Sequence, residues 1–196
     1  MENLSKICNN VIKKQFVVVL KMKGDRIMHS FQPFTVDFME CNPFEKIGKD
    51  WMLVTAGNEE KANTMTASWG GMGVMWGKNA AFIVVRQSRY TKEFIDRENA
   101  FSLSFLDGKY RSLMKFLGSI SGRDEDKIKA AGVELDYING IPYVDTANLV
   151  LICRVMSATE LNKDDFIDMG IDGQWYPDGE DYHTLYIAEV TDFLAR

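Results

Sequence analysis

Two arginines and two alcohols crowd into the hexapeptide Arg86-Gln87-Ser88-Arg89-Tyr90-Thr91. A phosphate dianion takes guanidinium groups, hydroxyls and the free amides of a helix N-terminus. Arg86, Ser88, Arg89 and Thr91 supply the first two, Tyr90 lies among them, and a helix expected after Thr91 supplies the third. The plain alternative is a solvated strand end followed by a capped helix. Upstream lies a second hydroxyl-rich turn, Asn63-Thr64-Met65-Thr66-Ala67-Ser68-Trp69. Its threonines favour extended structure, so a β-hairpin strand is the simple reading. Its strand amides and the small Ala67 and Ser68 would also let a flat polar ring lie close, with Trp69 as a wall or as core filler. Gly70, Gly71 and Gly73 read as a loop between the two turns, tolerant of unusual backbone angles.

Two further stretches carry polar chemistry. Ser121-Gly122-Arg123-Asp124-Glu125-Asp126-Lys127 is either an ordinary capped helix start or, through Lys127 or Arg123, an extra cation beside a phosphate. Trp175, Tyr176 and His183 are either surface packing or the lining of a mouth above a bound ring. His183 and His29 are the two histidines of the chain, so a histidine-based metal centre is not expected.

These residues need strands to position them. Trp51 to Thr55 reads as a strand turning at Gly57-Asn58, and Ala62 to Trp69 as its partner. Ala80 to Arg86 is an apolar, β-branched run expected to be a buried strand. Thr91 is expected to cap a helix over Lys92 to Glu98, with Glu93 in its first turn. Phe101 to Leu106 alternates, which predicts a strand. Helical spacing predicts helices over Tyr110 to Leu117 and, capped by Asp124, over Glu125 to Ala131. Ala147 to Leu161 and His183 to Phe193 complete the strands. Short helices inserted among strands, without βαβ alternation, favour an antiparallel barrel.

The bulk properties fit one domain of 31–196, preceded by a basic arm, 1–30, of undefined role. The 196 residues are 46% hydrophobic and 26% charged, enough for one substantial core. A net charge of −5 argues against a nucleic-acid surface. Cys8, Cys41 and Cys153 form no CxxC pair, so neither a zinc site nor a disulfide framework is indicated. A reducing cytoplasm is expected, with no membrane span and no signal peptide. The glycines at 70, 71, 73 and 77 match neither GxGxxG nor the P-loop. Ile120 stands where a nucleophile elbow needs serine, and the 168–179 stretch lacks the ligands of a calcium loop.

From about Asp50 to Val190 the chain resembles the flavin reductase-like family of FMN-binding split barrels, which includes flavoredoxin. The marks are TMTASWG (Thr64 to Gly70), SRYTKEFI (Ser88 to Ile95), FSLSFL (Phe101 to Leu106), SGRDEDK (Ser121 to Lys127) and HTLYIAEV (His183 to Val190). Asn79 departs from the proline that many relatives carry before the buried strand. The resemblance implies a mainly β fold with short helices: a Greek-key type, antiparallel split β-barrel that forms a homodimer with FMN near the subunit interface. It implies that Thr64 to Trp69 touch the ring and ribityl chain. Arg86, Ser88, Arg89, Tyr90 and Thr91 would surround the phosphate, with Lys127 nearby. The expected activity is an NAD(P)H-dependent reductase that passes hydride from nicotinamide to flavin N5, and no catalytic acid–base triad is needed. Two alternatives stay open. One is a flavoredoxin-like carrier reduced by a redox protein partner. The other is a non-catalytic split barrel for haem or another ligand.

Overall fold

The computed structural model describes residues 31–33, 35 and 39–196. The arm expected over 1–30 lies outside the described residues. Strands dominate the remainder: β1 (Gln32–Pro33), β2 (Met52–Gly57), β3 (Ala62–Ala67), β4 (Gly70–Met75), β5 (Lys78–Arg86), β6 (Ala100–Phe105), β7 (Leu135–Ile138), β8 (Ile141–Val144), β9 (Leu149–Glu160) and β10 (His183–Ala195). Between them lie short helices: α1 (Pro43–Gly48), α2 (Tyr90–Glu98), α3 (Arg111–Ser119), α4 (Lys127–Ala130) and α5 (Met169–Trp175).

One antiparallel sheet runs β3-β2-β6-β9-β10-β5-β4, with β1 added on β10. It curls around an apolar core to which β2, β3, β5, β6, β9 and β10 all contribute, including Val54, Met65, Ile83, Leu103, Leu151 and Tyr186. Its end strands, β3 and β4, do not pair with each other among the described residues, so the barrel is split. The central strands are buried on both faces. In β6, Phe101, Leu103 and Phe105 point into the barrel, while Ser102 and Ser104 point outward yet are fully buried. The β8 backbone explains them. Ser102 Oγ donates to the Pro142 carbonyl at 2.7 Å, and Val144 N–H donates to Ser104 Oγ at 3.2 Å. A second core fills the space between that outer face, α3 and the β7–β8 hairpin.

Helix α2 closes one part of the barrel. Thr91, Phe94 and Ile95 share one face by their spacing and are buried. Burial of Phe94 and Ile95 stabilises the fold by roughly 1.5–3 kcal/mol each. The helix ends where Asn99 takes a left-handed conformation, φ 51°.

Three expectations change. The glycine-rich stretch is an edge strand, β4, rather than a loop. It turns into β5 at Trp76-Gly77, where both residues have positive φ (52° and 73°), the geometry that matches the natural twist of a hairpin. Thr91 lies inside the first turn of α2 rather than at its cap; Arg89 is the cap residue and makes no side-chain cap bond. Asp126, not Asp124, caps α4, its carboxylate accepting from Lys129 N–H. Sequence patterning passed over α1, α5 and the β7–β8 hairpin.

Candidate functional site

The sheet register builds the site. Arg86 ends β5 and pairs with His183, which opens β10. The end of β3 lies across the split, and Thr66 Oγ1 ties it to α3 by donating to the Met114 carbonyl. Two adjoining cavities open here. A cavity of about 250 Å³ is lined by Met65 to Trp69, Val84 to Arg86, Arg89, Trp175 and His183. A second, about 290 Å³, is lined by Asn63, Met65, Arg86, Ser88 to Thr91, Ser119 to Gly122, Lys127 and Asp181. Met65, Arg86 and Arg89 belong to both, so the two hydroxyl-rich turns face one continuous cleft.

The first cavity has aromatic walls. Trp69 and Trp175 meet edge to face with ring centres 4.6 Å apart, and Trp69 lies 5.3 Å from the His183 ring. His183 is buried, and Tyr176 Oη sits 2.7 Å from its Nδ1. Burial, with the Arg86 charge beside it, holds its pKa down to about 4, so the ring is neutral at pH 7. Either group can be the donor of that hydrogen bond, according to which ring nitrogen carries the proton. Tyr176, expected at the mouth, is instead buried and stacked on Tyr182 at 4.5 Å.

The second cavity is cationic. Lys127 is buried, and its Nζ donates to the carbonyls of Leu117 (2.7 Å) and Ile120 (2.9 Å) at the end of α3. Burial first, and then repulsion from Arg89, lower its pKa to about 8. Arg89 donates to the Gly118 carbonyl at 3.1 Å. Asn63 donates through Nδ2 to Thr91 Oγ1 at 2.7 Å, which leaves the threonine proton free to turn toward the cavity. Gly122 packs so tightly here that a Cβ would fall on the Asn63 carboxamide. The N-terminus of α2 points at the same space, since Tyr90 and Thr91 line it.

Several expected site residues differ from the sequence reading. The Thr64 side chain points away from the cleft and is fully buried, 2.9 Å from Thr55 Oγ1. Strand alternation forces this, since Asn63 and Met65 face the cleft. Arg123, weighed beside Lys127, lies elsewhere: it binds the Ser88 carbonyl and Glu93 and stacks on Tyr90. Arg86 and Ser88 are in the cleft but already engaged. Arg86 donates to the Asp181 and Trp175 carbonyls, and Ser88 binds the Asp181 carboxylate through both N–H and Oγ. Sequence reasoning missed Asp181 altogether. Its only signal is a short acidic loop before the last strand.

With this geometry in place, relatives can be set beside it. A family model described as flavin reductase like domain matches residues 44–196. The chain belongs to that family. A curated relative, uncharacterized protein YddH of Escherichia coli (strain K12), is 27% identical over 161 residues, covering 74% of this chain and 85% of that one. Among solved structures, the fold is similar to an FMN-binding domain of a flavin reductases-like enzyme from Shewanella baltica (TM-score 0.62, 21% identity, 87% of this chain and 79% of the other). It is also similar to flavoredoxin from Methanosarcina acetivorans (TM-score 0.60, 21% identity, 75% and 68%). The family and these folds agree with a split barrel whose relatives handle flavin.

Proposed function

We propose that the cleft binds FMN and that the protein is an NAD(P)H-dependent flavin reductase. The observation that carries this is the continuity of an aromatic-walled cavity with a cationic one at a single split in the barrel. The donor set fits the cofactor. Arg89, Lys127, Thr91 and the α2 N-terminus suit a phosphate dianion, while Val84, Ala67, Ser68 and Trp69 line the cavity that would take the ring.

A flavin held there would supply the redox chemistry, as an acceptor of hydride from a nicotinamide. The chain's own residues bind and orient. Strand β3 offers amides to the ring edge. Trp69 and Trp175 form an aromatic wall on one side. His183, kept neutral by burial and held by Tyr176, lines the cavity without adding charge. A homodimer fits the apolar Val74 and Trp76, exposed on the β4–β5 hairpin. Free Cys41 and Cys153 suit a reducing cytoplasm.

A second reading rests on one observation. Ile167, Met169, Ile171 and Trp175 are each exposed on or just before α5, whose Trp175 lines the aromatic cavity, a feature suited to a redox protein that would deliver electrons directly. The visible spectrum of the purified protein separates these. A yellow protein that bleaches quickly under anaerobic NADH or NADPH supports the reductase. Slow bleaching with nicotinamides and rapid bleaching with a ferredoxin system supports the carrier. A colourless protein that takes up no FMN refutes both.

A further inference from the structure

Three groups of the kind a phosphate takes converge on one internal carboxylate. Asp181 accepts from Ser88 N–H and from Ser88 Oγ, each at 2.7 Å, and its Oδ2 lies 3.7 Å from the Arg86 guanidinium. It lines the cationic cavity together with Arg89, Thr91 and Lys127. The backbone suits the residue type: its φ is 55°, a left-handed conformation that aspartate and asparagine tolerate better than most residues. The main chain around it is fastened to the same strand end. Arg86 donates to the Asp181 carbonyl at 3.2 Å and to the Trp175 carbonyl at 2.9 Å, and Gln87 N–H donates to the Tyr182 carbonyl at 3.3 Å.

We propose that Asp181 is an internal phosphate mimic that competes with the ligand's phosphate for Ser88 and Arg86, and so sets how strongly the site prefers a phosphorylated flavin over riboflavin. The identity of the ligand rests on the flavin reading; the competition itself does not. The single protons of the Ser88 amide and hydroxyl cannot go to a carboxylate and a phosphate at once, and the Arg86 guanidinium attracts both anions. A dianion arriving among Arg89, Thr91 and Lys127 meets Asp181 as a like charge within the same cavity. It therefore either displaces the carboxylate or binds without those donors. Displacement removes the side-chain fastening of the loop and leaves only the main-chain bonds from Arg86 and Gln87, so occupancy of the tail end loosens the segment between Trp175 and His183.

The test compares Asp181→Asn with the wild-type protein. Asparagine keeps the left-handed backbone and the size but removes the charge. FMN affinity is expected to rise about tenfold while riboflavin affinity stays within about twofold, both read by flavin fluorescence quenching at constant ionic strength. In wild-type protein, amide exchange over 176–182 is expected to be faster with FMN than with riboflavin. Inorganic phosphate provides a probe that involves no flavin: it should raise the thermal midpoint of Asp181→Asn more than that of wild type. A parallel change for FMN and riboflavin, or equal phosphate effects on both proteins, overturns the proposal and makes Asp181 a structural anchor. If neither flavin binds either protein while phosphate still favours the variant, the competition stands and the flavin reading falls. Should Asp181→Asn fail to fold, the wild-type exchange comparison decides alone: equal rates with the two flavins overturn the proposal.

Discussion

Neutralising Lys127 is expected to separate FMN from riboflavin. Two of the three Nζ donors are committed to the Leu117 and Ile120 carbonyls, which leaves one for a ligand. Burial and Arg89 hold the pKa at about 8, so the ammonium loses its charge as the pH climbs above that value. A phosphate monoester, with its second pKa at about 6, stays a dianion throughout. The lost contact is charge-assisted and contributes about 1.5–3 kcal/mol, roughly tenfold to a hundredfold in Kd. Unfolding does not produce the same result. The folded pKa lies below the unfolded value of 10.5, so the unfolded chain binds more protons between those values and stability rises with pH across that window. The assay is fluorescence titration of both flavins from pH about 7 to about 9.5, where Lys127 passes through its pKa. Calorimetry in two buffers of different ionisation enthalpy adds a second reading, because a bound dianion pulls the lysine pKa up and FMN binding takes up protons. Flat, parallel curves for the two flavins, with no proton uptake, would place the phosphate somewhere else.

Thr91→Ala is expected to cost about 1–3 kcal/mol of stability in urea denaturation, because Asn63 Nδ2 loses its buried acceptor, and to weaken FMN binding with it. Trp69→Leu should weaken FMN and riboflavin equally, by about 1 kcal/mol in fluorescence titration, since Trp69 walls the cavity proposed to take the ring. His183 makes the fold sensitive to acid. Its folded pKa of about 4 lies below the unfolded 6.5, so its contribution is complete above 6.5 and is lost as the pH falls to about 4. After allowance for residual solvent screening, the loss is about 1–2 kcal/mol, and His183→Gln should flatten the urea midpoint across that range.

The strands were legible because burial on one or both faces writes itself into residue order. Ala80 to Val85 is apolar throughout, and FSLSFL alternates because β6 meets the barrel interior on one side and the β8 backbone on the other. The errors have local causes. Gly70, Gly71 and Gly73 suggested a loop, yet an edge strand with an open face does not need side chains to hold it, and pairing with β5 suffices. Asp124 and Asp126 both precede a helical run, and only the geometry of Asp126 toward Lys129 distinguishes them. The β7–β8 hairpin could have been read from Asn139-Gly140, whose positive φ values of 52° and 79° are those the dipeptide favours.

The site was legible in part, and the division follows contact distance along the chain. The two hydroxyl-rich turns declare themselves by composition, and a sheet register that pairs Arg86 with His183 brings them to one split. Asp181 could not be read in this way. Its meaning depends on Ser88, ninety-three positions earlier, and an acidic residue in a surface loop has no composition signal for such a partner. The same distance makes it consequential. Arg86 holds the carbonyls of both Asp181 and Trp175, so a ligand that drew Ser88 and Arg86 away, as proposed above, would act on that loop and on Trp175 together. On that proposal the charge at position 181 would act on the phosphate end and on the aromatic wall at once, which Asp181→Asn tests.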